Sequence, residues 1–184
     1  MTEQRSAYCW DATLLIHAER ADRLDVLGSL LPPCRHVVPD IVHRELLGMT
    51  LPVWIGTMTL GDDLRELRAF SRWLSVTGAT EDRHRGEAAV LAWSEVHRAV
   101  PIIDDAGARR VAGRHGFPAH GSLWALTEGI AAGRATVGVV SAFCDEMLRH
   151  DIRWPFGLGG FASWAHKAGL LSRHDSGQDP LPGV

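Results

Sequence analysis

The amino-acid sequence predicts an α/β fold built on a short, mostly parallel sheet. Three apolar stretches, at residues 8–10, 36–38 and 100–103, have the length of buried strands. After each of them, apolar residues recur at helical spacing. Strands that alternate with helices are typical of a parallel sheet covered by helices.

The helices are predicted from this periodicity and from the residues that begin or end them. Pro32 and Pro33 end the second helix, and Pro39 opens the third, because proline is tolerated in a first helical turn. Residues 48–62 are predicted to be irregular, and 117–119 to be a brief strand. In chain order, the predicted helices span residues 12–19, 21–31, 40–47, 64–74, 85–97, 106–115, 122–132, 137–150 and 161–171. In the helix at 64–74, three leucines are predicted to share one stripe: Leu64, Leu67 and Leu74.

The length of 184 residues suits one domain, which we place at residues 1–171, with a polar tail at 172–184. No apolar run is long enough to span a bilayer, and the first residues lack the apolar core of a signal peptide, so a cytoplasmic protein is expected. Cys9, Cys34 and Cys144 are widely spaced, which favours free thiols over a disulfide framework or a zinc site. The net charge of −3 does not favour nucleic-acid binding, so an RNA substrate would need local arginines or a bound cation.

Acidic residues follow two of the predicted strands. Asp11 comes after the first strand, and Asp104 and Asp105 come after the strand at 100–103. In open α/β sheets, ligands bind outside the carboxyl ends of the strands. The alternative role for each aspartate is to cap the helix that follows it.

Two glutamates lie on otherwise apolar helix faces. Glu45 shares a face with Val42, and Glu87 shares one with Val90 and Leu91. Burial of an isolated carboxylate is costly unless it is paired or binds a metal. The alternative is an edge position with the carboxylate in water. Six other acids lie among arginines or on polar faces and are predicted to be solvated: Glu19, Asp22, Asp25, Glu66, Asp145 and Glu146.

Four converging carboxylates would suit a hard divalent cation, because Mg²⁺ and Mn²⁺ prefer oxygen ligands. Such a cation activates water and neutralises charge on a phosphoryl oxygen. Without a cation, mutual repulsion should raise the pKa of some of these acids.

The order and spacing of five short motifs resemble one known family. The motifs are Trp10-Asp11-Ala12-Thr13, residues 38–42 with Glu45-Leu46, Arg85-Gly86-Glu87-Ala88, residues 102–105 with Ala108-Arg109, and Gly121-Ser122-Leu123. From about residue 8 to residue 171, the chain resembles PIN-domain nucleases, particularly the VapC-type toxins of prokaryotic toxin–antitoxin pairs.

The resemblance implies a PIN-like three-layer α/β/α fold and metal-dependent hydrolysis of RNA. It makes Asp11, Glu45, Glu87 and Asp105 the catalytic, metal-binding acids, with Asp104 as the alternate to Asp105. Thr13 would help to fix the first carboxylate or a metal-bound water. The resemblance further implies Mg²⁺ or Mn²⁺ as cofactor, a cognate antitoxin protein as partner and, in many members, a homodimer.

Two other functions are weighed against this one. A phosphatase of the haloacid dehalogenase type also has an aspartate at its first strand end, but it needs a second acid where this chain has Thr13 and a suitably placed lysine. The only lysine here is Lys167. The second alternative is a catalytically inactive PIN-fold module that binds RNA or a protein partner; the filled acid positions argue against it.

Basic and aromatic residues are consistent with RNA binding. Arg109, Arg110 and Arg114 follow Asp105 and could hold phosphates, although a solvated basic face is an equal alternative. Trp54, in the irregular segment, is the best tryptophan candidate for a contact surface.

Overall fold

The computed structural model describes residues 7–46, 48–80 and 83–171, so the predicted tail at 172–184 lies outside the described residues. The chain divides into two compact units. Of the described residues, the sheet unit comprises 7–24, 34–46, 48–80 and 83–122, and the helical unit comprises 25–33 and 123–171.

The sheet unit contains a four-stranded sheet in which every neighbouring pair is parallel. Its strands are β1 (Ala7–Trp10), β2 (Arg35–Pro39), β3 (Ile55–Met58) and β4 (Val100–Ile102). Their order is β3-β2-β1-β4, so β1 lies between β2 and β4. Because the strands are parallel, their carboxyl ends meet at one edge of the sheet. The predicted α/β fold is confirmed, and the acids that follow β1 and β4 are brought to the same edge.

The described residues form nine helices. They are α1 (Ala12–Arg20), α2 (Leu24–Leu30), α3 (Asp40–Glu45), α4 (Leu64–Thr77), α5 (Arg85–His97), α6 (Ala106–Arg114), α7 (Ser122–Ala131), α8 (Val137–Arg149) and α9 (Phe161–Lys167). Helix α5 packs against β1, β2 and β4, and α3 packs against β2 and β3. Helix α5 is buried from Ala88 to Ser94, which explains its weak amphipathicity. The central helix therefore carries Glu87 in its first turn directly beside the sheet.

Two predictions about strands are wrong. Residues 55–58, predicted to be irregular, form the edge strand β3, with only Ile55 buried. Residues 117–119, predicted to be a brief strand, are not a strand; instead, His120 forms an isolated bridge with Ile102.

Helix α4 does not bury the predicted leucine stripe. Leu64 is 60% exposed and Leu67 is 50% exposed, whereas Glu66, Ala69 and Trp73 are buried. Two of the three leucines are therefore exposed, and the buried face of α4 is formed by other residues.

Glu66 is buried because its carboxylate is fully engaged. It accepts hydrogen bonds from the backbone N–H groups of Gly61, at 2.8 Å, and Asp62, at 3.0 Å. Its other oxygen lies 2.6 Å from His97 Nε2. Buried polar groups are tolerated when they are bonded in this way. Glu66 is thus a structural acid that fastens the start of α4, and the predicted solvated position is wrong.

In the helical unit, α2 and α7 approach each other closely at Gly129. A Cβ at this position would lie 1.8 Å from the backbone oxygen of Leu30, which no side chain could tolerate. Helix α8 begins where the Thr136 hydroxyl accepts a hydrogen bond from the Val139 N–H at 3.3 Å.

The three cysteines are free, as predicted, with Cys9 and Cys144 buried and Cys34 partly buried. Among the described residues, no helix is both long enough and apolar enough to cross a membrane.

Candidate metal centre

Asp11 lies at the carboxyl end of β1, immediately before α1. Its backbone N–H donates to the Ile102 carbonyl of β4 at 2.9 Å. Its carboxylate makes no capping hydrogen bond to α1 but accepts one from the Thr13 hydroxyl at 2.9 Å. Asp11 is therefore not serving as a side-chain cap, and Thr13 holds its carboxylate in place.

Burial and neighbouring charges shift the pKa of Asp11. Burial, together with the negative charges of Glu87 and Asp104, raises the pKa of this carboxyl from 3.8 to about 7, against hydrogen bonds from the Thr13 hydroxyl and the Ala12 N–H, which lower it. The carboxylates of Glu87 and Asp104 therefore both act on Asp11.

Glu45, the last residue of α3, joins the same group through a glycine. A Cβ at Gly86 would lie 2.9 Å from both carboxylate oxygens of Glu45, so the carboxylate rests on the first turn of α5. Partial burial and the charge of Glu87 raise the pKa of Glu45. The residue as a whole is exposed, so of the two positions considered for Glu45 the edge position is the one observed, although the charge of Glu87 still acts on its carboxylate.

Glu87 lies in the first turn of α5, where the helix dipole favours a negative charge. Its side chain is 18% exposed, and its Oε1 lies 3.2 Å from Nδ1 of His84. His84 precedes α5 with a φ of 62°, a left-handed conformation that is uncommon outside glycine and often marks functional segments. This contact orients Glu87.

Asp104 also belongs to the group. Its Oδ1 accepts a hydrogen bond from the Ser122 N–H at 2.8 Å, at the start of α7. Burial raises the pKa of Asp104, while Ser122 and the positive charges of Arg109 and His17 lower it. Arg109 is itself fixed by donating to the Ile103 carbonyl at 2.6 Å.

Asp105 has a different position. It is exposed and caps α6, with its Oδ1 accepting a hydrogen bond from the Ala108 N–H at 2.6 Å. It also lines a cavity with Arg110 and Arg114. The structure thus brings Asp11, Glu45, Glu87 and Asp104 together as an acid cluster, with Asp105 at its margin.

The acid cluster fits a divalent cation by its chemistry. Across residues 7–46, 48–80 and 83–171, no three His, Cys, Asp or Glu side chains already converge closely enough to hold an ion. However, burial raises the pKa of Asp11, Glu45 and Asp104, and repulsion from Glu87 adds to it at Asp11 and Glu45, so a bound cation would stabilise these carboxylates. Oxygen ligands alone suit Mg²⁺ or Mn²⁺.

A family model described as a PIN domain matches residues 7–158, which is most of the chain. The chain belongs to the PIN domain family. PIN domains are generally metal-dependent nucleases, and the family typically uses divalent metal ions and implies RNA binding. Neither the curated proteins nor the solved structures yielded a match to this PIN domain.

Several residues that shape the acid cluster of this PIN domain were not predicted to do so. His17 and the Ser122 backbone act on Asp104 from distant parts of the sequence. Gly86 belongs to one of the five motifs without a predicted role of its own, yet its lack of a side chain makes room for Glu45. Trp54, predicted as a contact surface, is half-buried and donates to the Leu24 carbonyl at 3.2 Å.

Proposed function

We propose that this PIN domain is an endoribonuclease that uses Mg²⁺ or Mn²⁺ to hydrolyse RNA phosphodiester bonds. The observation that carries the proposal is the acid cluster at the carboxyl edge of the sheet, in which burial raises the pKa of Asp11, Glu45 and Asp104 and the charge of Glu87 further raises the pKa of Asp11 and Glu45. Carboxylates packed in this way destabilise the fold unless a bound cation neutralises their charge.

The proposed ligands are Asp11, Glu45, Glu87 and Asp104. We prefer Asp104 to Asp105 because its charge acts on Asp11, whereas Asp105 is used as a helix cap. When bound, the cation would supply an activated water and charge neutralisation at the phosphoryl oxygen.

The surrounding residues have positioning roles. Thr13 holds the Asp11 carboxylate, and His84 holds Glu87. The Ser122 N–H fixes Asp104. Such neighbours limit the rotation of ligand side chains and so keep a metal site in register.

The finer role that we propose is that of a VapC-type toxin. This role rests on the order and spacing of the five motifs. With it we also propose a cognate antitoxin partner, a homodimer and a cytoplasmic location. We also propose that residues 1–171 act as one nuclease domain. The family match to residues 7–158, which include parts of both compact units, supports this last point.

An RNA cleavage assay tests the proposal. The full chain is incubated with single-stranded and structured RNAs in the presence of Mg²⁺, Mn²⁺ or a chelator, beside Asp11→Asn. We expect cleavage only with a divalent cation, and none from the variant. An inert wild-type chain would instead favour the inactive RNA-binding or partner-binding module, and equal cleavage by the variant would refute the assigned site.

A further inference from the structure

A cavity of about 230 Å³ opens in the sheet unit beside the acid cluster. Its lining is mainly basic and polar, and includes Thr77, His84, Asp105, Arg110, Val111 and Arg114. Two of these residues connect it to the acid cluster. His84 is bonded to Glu87, and Asp105 follows Asp104 in the chain.

The two arginines of the cavity carry positive charge that the described residues do not neutralise. Arg110 and Arg114 lie four residues apart on α6 and therefore on the same helix face, where like charges repel each other. Both are exposed, and neither forms an ion pair with any residue in the described ranges. By contrast, their neighbour Arg109 is committed to the Ile103 carbonyl and to Asp104. An anion in the cavity would relieve the repulsion.

Asp105 is the one acid in the described lining, and its charge is partly offset. Its Oδ1 accepts the Ala108 N–H at 2.6 Å, and the dipole of α6 favours a negative charge at this end. The lining therefore keeps a positive balance from Arg110 and Arg114.

The acid cluster itself repels a nucleic acid, and the chain has a net charge of −3. Binding of a polyanion therefore requires local positive charge close to the acids. Guanidinium groups suit this role because they donate two parallel hydrogen bonds to phosphate oxygens.

We propose that this cavity is a phosphate subsite, in which Arg110 and Arg114 hold a backbone phosphate of the RNA strand next to the phosphate that is cut. The proposal rests on the proposed nuclease function, since it names how the substrate is anchored at the same site. A phosphate held there would place the neighbouring phosphate over the acid cluster. The contact is made to the backbone, so it carries no base preference.

The test measures RNA binding separately from cleavage. The Asp11→Asn chain, which should not cut, is titrated with a fluorescent single-stranded RNA at several salt concentrations. In this background, Arg110→Gln with Arg114→Gln is compared with the charge-matched pair Arg68→Gln and Arg134→Gln, two exposed arginines outside the cavity. Thermal unfolding verifies that each variant is folded.

We expect the cavity pair to weaken RNA binding about tenfold, for RNAs of different sequence alike, as the loss of one charge-assisted contact would do. The dependence of log K on log salt should also become shallower by about 0.7, the value for one phosphate of a single strand. The control pair should leave affinity much closer to that of the parent.

Equal affinities and salt dependences for the two pairs would overturn the subsite, even if the wild-type chain cleaves RNA. The subsite would also be overturned if the chain bound no RNA, or if the cavity bound an acidic protein partner instead of RNA. If the cavity pair weakens binding while the wild-type chain fails to cleave, the cavity still holds an RNA phosphate, but the nuclease proposal and the subsite's place beside a cut phosphate both fall.

Discussion

Gly86 and Glu45 lie so close together that a Cβ on Gly86 would sit 2.9 Å from both Glu45 carboxylate oxygens. Because Gly86 has no side chain, the carboxylate of Glu45, at the end of α3, rests on the first turn of α5. The same turn carries Glu87. This position therefore ties the placement of a carboxylate to the absence of a side chain.

Gly86→Ala should therefore impair cleavage without unfolding the chain. The added methyl group meets the mobile end of the Glu45 side chain, which can move away, but the displaced carboxylate no longer reaches its position. A misplacement of about 1 Å can cost up to about a hundredfold in rate, so we expect a cleavage loss of about tenfold to a hundredfold and little change in Tm.

Gly138→Ala is the matched control. Gly138 is likewise the second residue of a helix, but a Cβ there would meet only the Thr136 hydroxyl, at 3.9 Å. Cleavage at the same rate by both variants would mean that the position of Glu45 does not matter to the reaction.

Asp104→Asn and Asp105→Asn should separate the two adjacent aspartates. Asparagine caps a helix about as well as aspartate, so Asp105→Asn keeps α6 intact. We expect Mn²⁺ to raise the Tm of Asp105→Asn as it raises that of the wild type, and to have a much smaller effect on Asp104→Asn. The reverse ranking, read from thermal unfolding with and without Mn²⁺, would make Asp105 the ligand.

The stability of the metal-free chain should fall as pH rises. The pKa of Asp11 is about 7 in the folded chain and 3.8 as its ordinary value, so the folded state holds a proton that the unfolded state has lost. Stability from this group is therefore full below pH 3.8, declines above it and is gone once pH passes about 7.

Asp11→Asn removes this dependence, since asparagine does not titrate. In the presence of a chelator, the variant should be closest to the wild type in Tm near pH 3.8, and its advantage should grow as pH rises to about 7, by about 2–4 °C for each kcal/mol of relieved desolvation and repulsion. A Tm difference that stays constant across this range would show that Asp11 is not the titrating group.

Gly129→Ala should destabilise the helical unit strongly. Its Cβ would lie 1.8 Å from the backbone oxygen of Leu30, which cannot move without shifting α2. We expect a loss of about 2 kcal/mol or more in the free energy of unfolding, measured with urea. Gly113→Ala, in α6, has nothing within 4 Å and should be neutral or stabilising. Similar results for both variants would contradict the close approach of α2 and α7.

Most of the fold followed from the sequence because strong periodicity and clear end signals agree. Residues 85–97 are a helix as predicted, and three of the four strands lie within two residues of their predicted limits. The edge strand β3 was missed because Ile55 is its only buried residue, and Gly56 weakens any strand pattern. Its pairing with β2 is a tertiary effect.

Long-range partners explain the other misses. The local sequence predicts that Glu66 is a surface acid, because its partner His97 lies 31 residues away in the chain. Likewise, the choice between Asp104 and Asp105 depends on Ser122 and Arg109, which local spacing does not place. Asp11 was the easiest acid to predict, because its strand-end position and its motif agree.

The central claim is that the acid cluster binds a divalent cation, and calorimetric titration of the full chain with Mn²⁺ above pH 7 tests it most directly. The wild type and the control Asp25→Asn, an exposed acid on α2, should bind Mn²⁺ alike. Asp11→Asn should bind it at least about tenfold more weakly, the loss of one charged ligand. If the wild type binds no Mn²⁺, or Asp11→Asn binds it equally well, the acid cluster is not a metal site.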